Sequence, residues 1–158
     1  MKTSVKKMDY EKVIAKPRPK HKKPRKPGIF WRGLIRLLTV FGMWGIKFDY
    51  ETERMDLIGK NEPCLILMNH SCFLDMQIAY KIFFPRPMCI VTTYDGMVGM
   101  GGFMEWLMRT IGCVPTQKFV NDVTLIRDME YLLKKKKTSI LMYPEASYSF
   151  DGKATALP

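Results

Sequence analysis

A chain of 158 residues, 47% of them apolar, has room for one domain with a packed core, and 26 Lys plus Arg against 15 Asp plus Glu leave it at +11. That balance excludes a highly acidic, disordered solvating chain. The charge is concentrated: residues 1–27 hold 11 basic and 2 acidic residues, a net of +9, while residues 28–158 hold 15 basic and 13 acidic, a net of +2. A nearly neutral body thus carries a basic arm, which points to an anionic partner, either a membrane surface or a nucleic acid.

Residues 1–27 form the first unit. Between Lys16 and Pro27 basic residues alternate with prolines and no apolar face can form, so a basic, disordered arm, extended and mobile, is expected. Residues 28–48 form the second. From Gly28 to Ile46 an apolar helical pattern is broken only by Arg32 and Arg36, one turn apart on the same side. Nineteen residues at 1.5 Å each reach about 28 Å, so a membrane span has to be weighed. The two arginines favour a helix lying in the interface, where they can meet lipid phosphates; a span and an ordinary core-packing helix are the alternatives. No small-residue cleavage pattern follows, so this is not a secretory signal.

Residues 49–158 change character, with short apolar runs alternating with amphipathic stretches. The pattern predicts strands at Met55–Gly59, Cys64–Met68, Met88–Thr92 and Ser139–Tyr143, and an extended piece at Cys113–Gln117. Helices are predicted at Leu74–Phe84, Phe103–Ile111 and about Asp122–Leu133. The fold class is α/β, a mixed sheet flanked by helices, and ligands in such folds gather beyond the carboxyl ends of strands. Cys64, Cys72, Cys89 and Cys113 make no C-x-x-C pair and read as reduced thiols of a cytoplasmic compartment. Only His21 and His70 could join them around zinc, so no metal centre is expected.

Two strand ends deliver polar residues. After Met68 come Asn69, His70, Ser71, Cys72, Phe73, Leu74 and Asp75. A carboxylate five positions beyond a histidine can hold one imidazole nitrogen and leave the other as a general base. With no G-x-S-x-G serine elbow in the chain, the proton to be taken would come from a substrate hydroxyl. A strand-capping His70 with Asp75 merely opening a helix is the plainer reading, and a Cys72 thiolate activated by His70 is a third. After Tyr143 come Pro144, Glu145, Ala146, Ser147, Tyr148 and Ser149, where Glu145 could equally be solvated in a turn. Lys118 alone reads as a surface residue, and Lys134–Lys137 as a solvated helix end.

Together these blocks resemble the glycerolipid acyltransferase family that includes the lysophosphatidate (1-acylglycerol-3-phosphate) acyltransferases. Asn69-His70 through Asp75 is similar to its N-H-x-x-x-x-D block, Gly112–Lys118 falls where its G-x-x-F-x-x-R block belongs, and Tyr143–Ser149 is similar to F-P-E-G-T-R-S. The resemblance spans residues 28–158. It implies acyl transfer from an acyl thioester, acyl-CoA or acyl carrier protein as co-substrate with no other cofactor, to the hydroxyl of a lysophospholipid or related glycerolipid. His70 and Asp75 would be the catalytic pair. Asn69, Gly112, Lys118, Pro144, Glu145 and Ser147 would belong to substrate binding, with Lys118 in place of the family's phosphate-binding arginine. Pro115, Lys118, Ala146, Ser147 and Tyr148 depart from the pattern, and Lys118 and Tyr148 remove the bidentate forks for phosphate. An acceptor other than lysophosphatidate fits those changes. The chain ends nine residues after Ser149, where the family continues, so the C-terminal part of the domain is expected to be missing.

The resemblance and the arm together imply a peripheral or monotopic protein on the cytoplasmic face of an anionic membrane. Residues 11–29 contain no Phe, Tyr or Trp to stack on bases, which argues against nucleic acid. A catalytically silent lipid- or nucleic-acid-binding module is the competing function.

Overall fold

Alternating apolar runs and amphipathic segments produce a layered α/β domain in the computed structural model, which describes residues 20–59, 61–72, 74–94, 102–117 and 121–145. Helix α1 (Ile29–Gly42) precedes four strands, β1 (Leu65–Leu67), β2 (Met88–Thr93), β3 (Cys113–Thr116) and β4 (Ser139–Met142). Between them run α2 (Asp75–Phe83), α3 (Gly102–Thr110) and α4 (Val123–Glu130), the last prolonged by a π-helical turn, Tyr131–Lys135. The strand order is β1-β4-β2-β3 and every pair is parallel. The mixed sheet expected from the sequence is therefore a parallel one among the described strands. The reason is connectivity: a helix carries the chain from each strand to the next, returning it to the same edge.

Period-two alternation distributes the strand residues between two apolar layers. Met88 and Ile90 of β2 and Leu141 of β4 pack with Ile66 and with Ala79 of α2. Cys89, Val91 and Ile140 point the other way, onto Leu125 of α4 and Leu132 of the π turn. Burial pushes the Cys89 and Cys113 thiols up to about 12 and about 11, and all four cysteines are unbridged. The strand expected at Met55–Gly59 is instead a 3₁₀ turn, Met55–Leu57. Arg54 at φ 58° turns the chain there, and Leu57 is left exposed with no sheet face to cover it.

Of the arm only residues 20–27 lie among the described residues, and they are docked on the body. Pro24 and Pro27 are buried. His21 Nε2 lies 3.0 Å from both carboxylate oxygens of Asp128 on α4, and Lys22 Nζ lies 3.3 Å from Glu105 on α3. Arg109 supports the second contact, donating to Glu105 at 2.9 Å and to the Lys22 carbonyl at 3.4 Å. For residues 20–27 the mobile reading did not take into account that α3 and α4 present carboxylates to this segment, and that proline rings can pack without an amide to satisfy.

Helix α1 has 14 residues, about 21 Å, against a hydrocarbon core of about 30 Å. No helix among the described residues is long and apolar enough to cross a membrane. Nor is α1 an ordinary core helix, because Phe30, Leu38 and Phe41 are 74%, 59% and 61% exposed. Its opposite side meets α2, and Trp31 sits edge-on to Trp106 of α3 with centroids 6.2 Å apart.

One glycine fixes the arm to the sheet. Gly112 adopts φ +99°, and a Cβ there would meet Pro27 Cγ at 2.7 Å and the Met88 carbonyl at 3.3 Å. Gly112→Ala is expected to lower stability by about 1–3 kcal/mol in urea titrations. Adding Pro27→Ala should recover the steric share and leave the backbone share; no recovery would mean that the arm does not press on Gly112.

Candidate active site

The site is organised by pairing between β1 and β4. Leu67 is the register partner of Met142, and the Met68 amide continues the ladder to the Met142 carbonyl at 3.1 Å. His70 and Glu145 each lie three residues beyond those partners, so both emerge at the carboxyl edge of adjacent strands. Tyr143, just past β4, meets the first of them: its ring stacks on the His70 imidazole with centroids 4.1 Å apart and planes 21° apart.

Asp75, the first residue of α2, is 4% exposed and gathers the turn that carries the histidine. Its Oδ2 accepts from the backbone amides of Ser71 at 2.6 Å and Cys72 at 2.9 Å and lies 2.9 Å from His70 Nδ1. Its Oδ1 accepts from Cys72 Sγ at 3.3 Å. Against an ionised carboxylate Nδ1 must be the protonated nitrogen, which makes Nε2 the basic one. Burial by itself would push the Asp75 carboxyl up. The Cys72 amide, the His70 ring, the Cys72 thiol and the Ser71 amide together outweigh it and hold the group below its usual 3.8. The Cys72 thiol thus donates to the carboxylate, a holding role distinct from the nucleophile weighed above.

The other candidates divide by position. Asn69 is exposed on the same edge, Pro144 is half-buried in the turn after β4, and Glu145 beside it is 7% exposed. Gly112 is not with them. It precedes β3, at the amino edge of the sheet, where its carbonyl accepts from the Ile90 amide at 3.0 Å and Pro27 covers it. The opposite end of β3 does reach the carboxyl edge, where the Asp122 carboxylate accepts from the Gln117 amide at 3.2 Å and from the Leu125 amide at 3.1 Å. That edge lies two strand spacings from β4, roughly 10 Å. Lys118 and Ser147 lie outside the described residues. Tyr143 was missed as a site residue, though the signal was present: it is two positions after Leu141 and so shares its face, the one carrying α2.

The acyltransferase family model matches residues 49–157. The chain belongs to the acyltransferase family. No curated protein and no solved structure matches it. Within this acyltransferase domain, an ordered imidazole against a buried carboxylate is an arrangement that can accept a proton from an alcohol.

The lowered carboxyl gives a pH signature. Stability contributed by a depressed acid is fully present above its unfolded value and is lost as pH falls through the folded one, here below 3.8. The stability gap between the wild type and Asp75→Asn should therefore be constant near about pH 6 and narrow in acid unfolding below the unfolded value. A gap unchanged into that acid range would show that Asp75 is not held as the anion.

Proposed function

We propose that this acyltransferase domain moves a fatty acyl group from acyl-CoA or acyl carrier protein to the hydroxyl of a lysophospholipid or related glycerolipid. The observation that carries the proposal is the 2.9 Å contact between His70 Nδ1 and Asp75 at the sheet edge, beside the buried Glu145. His70 Nε2 takes the hydroxyl proton as the acceptor oxygen attacks the thioester carbonyl. The new carbon–oxygen bond forms, the tetrahedral intermediate collapses with cleavage of the carbon–sulfur bond, and the imidazolium returns its proton to the departing thiolate. Asp75 positions the ring and stabilises its charged form, while Tyr143 limits ring rotation. Glu145, with Asn69 and Pro144, orders the acceptor; Lys118 and Ser147 are proposed to contact it too. A thioester is already activated, so this chemistry needs no acyl-enzyme.

The reaction is proposed to occur on the cytoplasmic face of an anionic membrane, with the exposed stripe of α1 in the interface. Phe30, Leu37 and Phe41 recur at helical spacing along that stripe, Trp44 follows in the turn beyond it, and all four are exposed. Immersion would remove from water apolar area worth about 25 cal/mol per Å². Residues 1–27 add a net of +9, although His21 and Lys22 already have carboxylate partners on the body.

Two measurements test the proposal. Thioester cleavage, followed with a chromogenic thiol reagent across a panel of lysolipids, should fall by about 10²–10⁴ in His70→Ala with the fold intact, and nearly as far in Asp75→Asn. Unchanged rates in His70→Ala would remove the mechanism. In co-sedimentation with anionic vesicles, Leu37→Ser with Phe41→Ser should weaken binding at least about tenfold. Tight oligonucleotide binding with no vesicle affinity would replace the membrane by nucleic acid.

A further inference from the structure

Helix α1 runs antiparallel to α2: Gly42 at its carboxyl end approaches Gln77, while Arg36, farther back, places its guanidinium carbon 3.9 Å over the ring of Phe84. Arg32, four residues earlier, shares that side. The two arginines therefore do not point with the exposed apolar stripe. They line a cavity of about 450 Å³ between α1 and the end of α2, with walls that include Val40, Trp44, Phe84 and Met88. Lys81 of α2 contributes a third cation. Met88 opens β2, so the cavity adjoins the amino edge of the sheet. One length of α2, nine residues or about 13 Å, separates it from Asp75.

The charges here are of two kinds. Arg86, also in the lining, is engaged internally, donating to the Glu62 carbonyl at 2.8 Å and the Ile58 carbonyl at 3.0 Å. Arg32, Arg36 and Lys81 have no carboxylate partner among the described residues. Three cations around apolar walls complement an anion that carries a hydrocarbon tail. The volume suits a headgroup and the first part of its chains, which would leave along the α1 stripe.

We propose that this cavity binds the phosphate of an anionic membrane phospholipid, with Arg32, Arg36 and Lys81 around the phosphate and Val40, Trp44 and Phe84 against the lipid. It is a second site, distinct from the acceptor site at the carboxyl edge. Only the source of its ligand rests on the membrane reading above. Occupancy would tie α1 to the helix whose first residue is Asp75.

The test uses the full chain and dihexanoyl phosphatidylglycerol below its micelle concentration, with binding followed by isothermal titration calorimetry. Saturable binding is expected, weakened about tenfold or more in Arg36→Gln with Lys81→Gln. Val40→Trp, which fills the cavity and changes no charge, should weaken it as well, while His70→Ala should bind normally. Wild-type affinity in both the charge and the filling variants, with circular dichroism unchanged, would overturn the proposal. Equal affinity for inorganic phosphate would overturn the lipid as ligand, and loss of binding in His70→Ala would move the ligand to the carboxyl edge. Full thioester turnover by His70→Ala would instead sink the proposed reaction and leave this binding result standing.

Discussion

The Asp75 carboxylate is the group on which the site depends. A carboxylate removed from water is strongly penalised unless donors replace the lost hydration. Four donors surround this one, and all of them belong to the loop between β1 and α2. The backbone amides of Ser71 and Cys72 can reach it only if the chain turns immediately after His70, and that same turn brings Nδ1 of the ring to the same oxygen. Loop shape, imidazole tautomer and carboxylate ionisation are therefore one coupled solution. Neutralising the acid would weaken all of the contacts at once, because each donor is matched to an anion.

That local solution faces a substrate only because of where β4 goes. Inserted between β1 and β2, it brings the Pro144–Glu145 turn beside the histidine loop, although about seventy residues separate them in the chain. The parallel direction puts both turns on one edge, and the shared register gives them equal reach. Tyr143, the first residue past β4, then lays its ring against the His70 imidazole. The same parallelism sends Gly112 to the far edge, since it enters β3 where Gln117 leaves it. The glycine that opens the Gly112–Lys118 block thus sits at the amino end of β3, away from the reacting groups, and only Gln117 beyond the strand's other end shares their edge.

The α/β class and most elements were legible because period two and period 3.6 are local signals. Leu65–Leu67, Met88–Thr93 and Ser139–Met142 are short apolar runs bounded by polar turns, and Asp122 announces α4 with a side chain that accepts from Leu125. The His70–Asp75 pair was legible for the same reason, being five residues apart. What escaped depends on distant partners. Met55–Gly59 has a strand-like composition but no neighbour to pair with. The docking of the arm required knowing that Asp128 and Glu105 stand where His21 and Lys22 pass, contacts made across 107 and 83 residues. Strand direction and the placement of Gly112 likewise follow from the topology of the whole sheet.

Helix α1 shows that a shared side of a helix does not by itself say which neighbour that side meets. Its composition does mark an amphipathic surface helix, and Arg32 and Arg36 do share a side. The expectation was only that both arginines meet lipid phosphates from a helix in the interface, and it left open which way they face relative to the protein. Here the apolar stripe looks outward, and the arginines turn towards α2, where Phe84 stacks under one guanidinium. A helix in water with that orientation is inverted relative to the usual globular pattern, in which the apolar stripe faces the core. The inversion is consistent with a low-dielectric surface outside and with a polar ligand inside, between the two helices. Either environment alone would account for half of the helix: the apolar stripe has no partner within the described fold, and the cations have no counter-charge there.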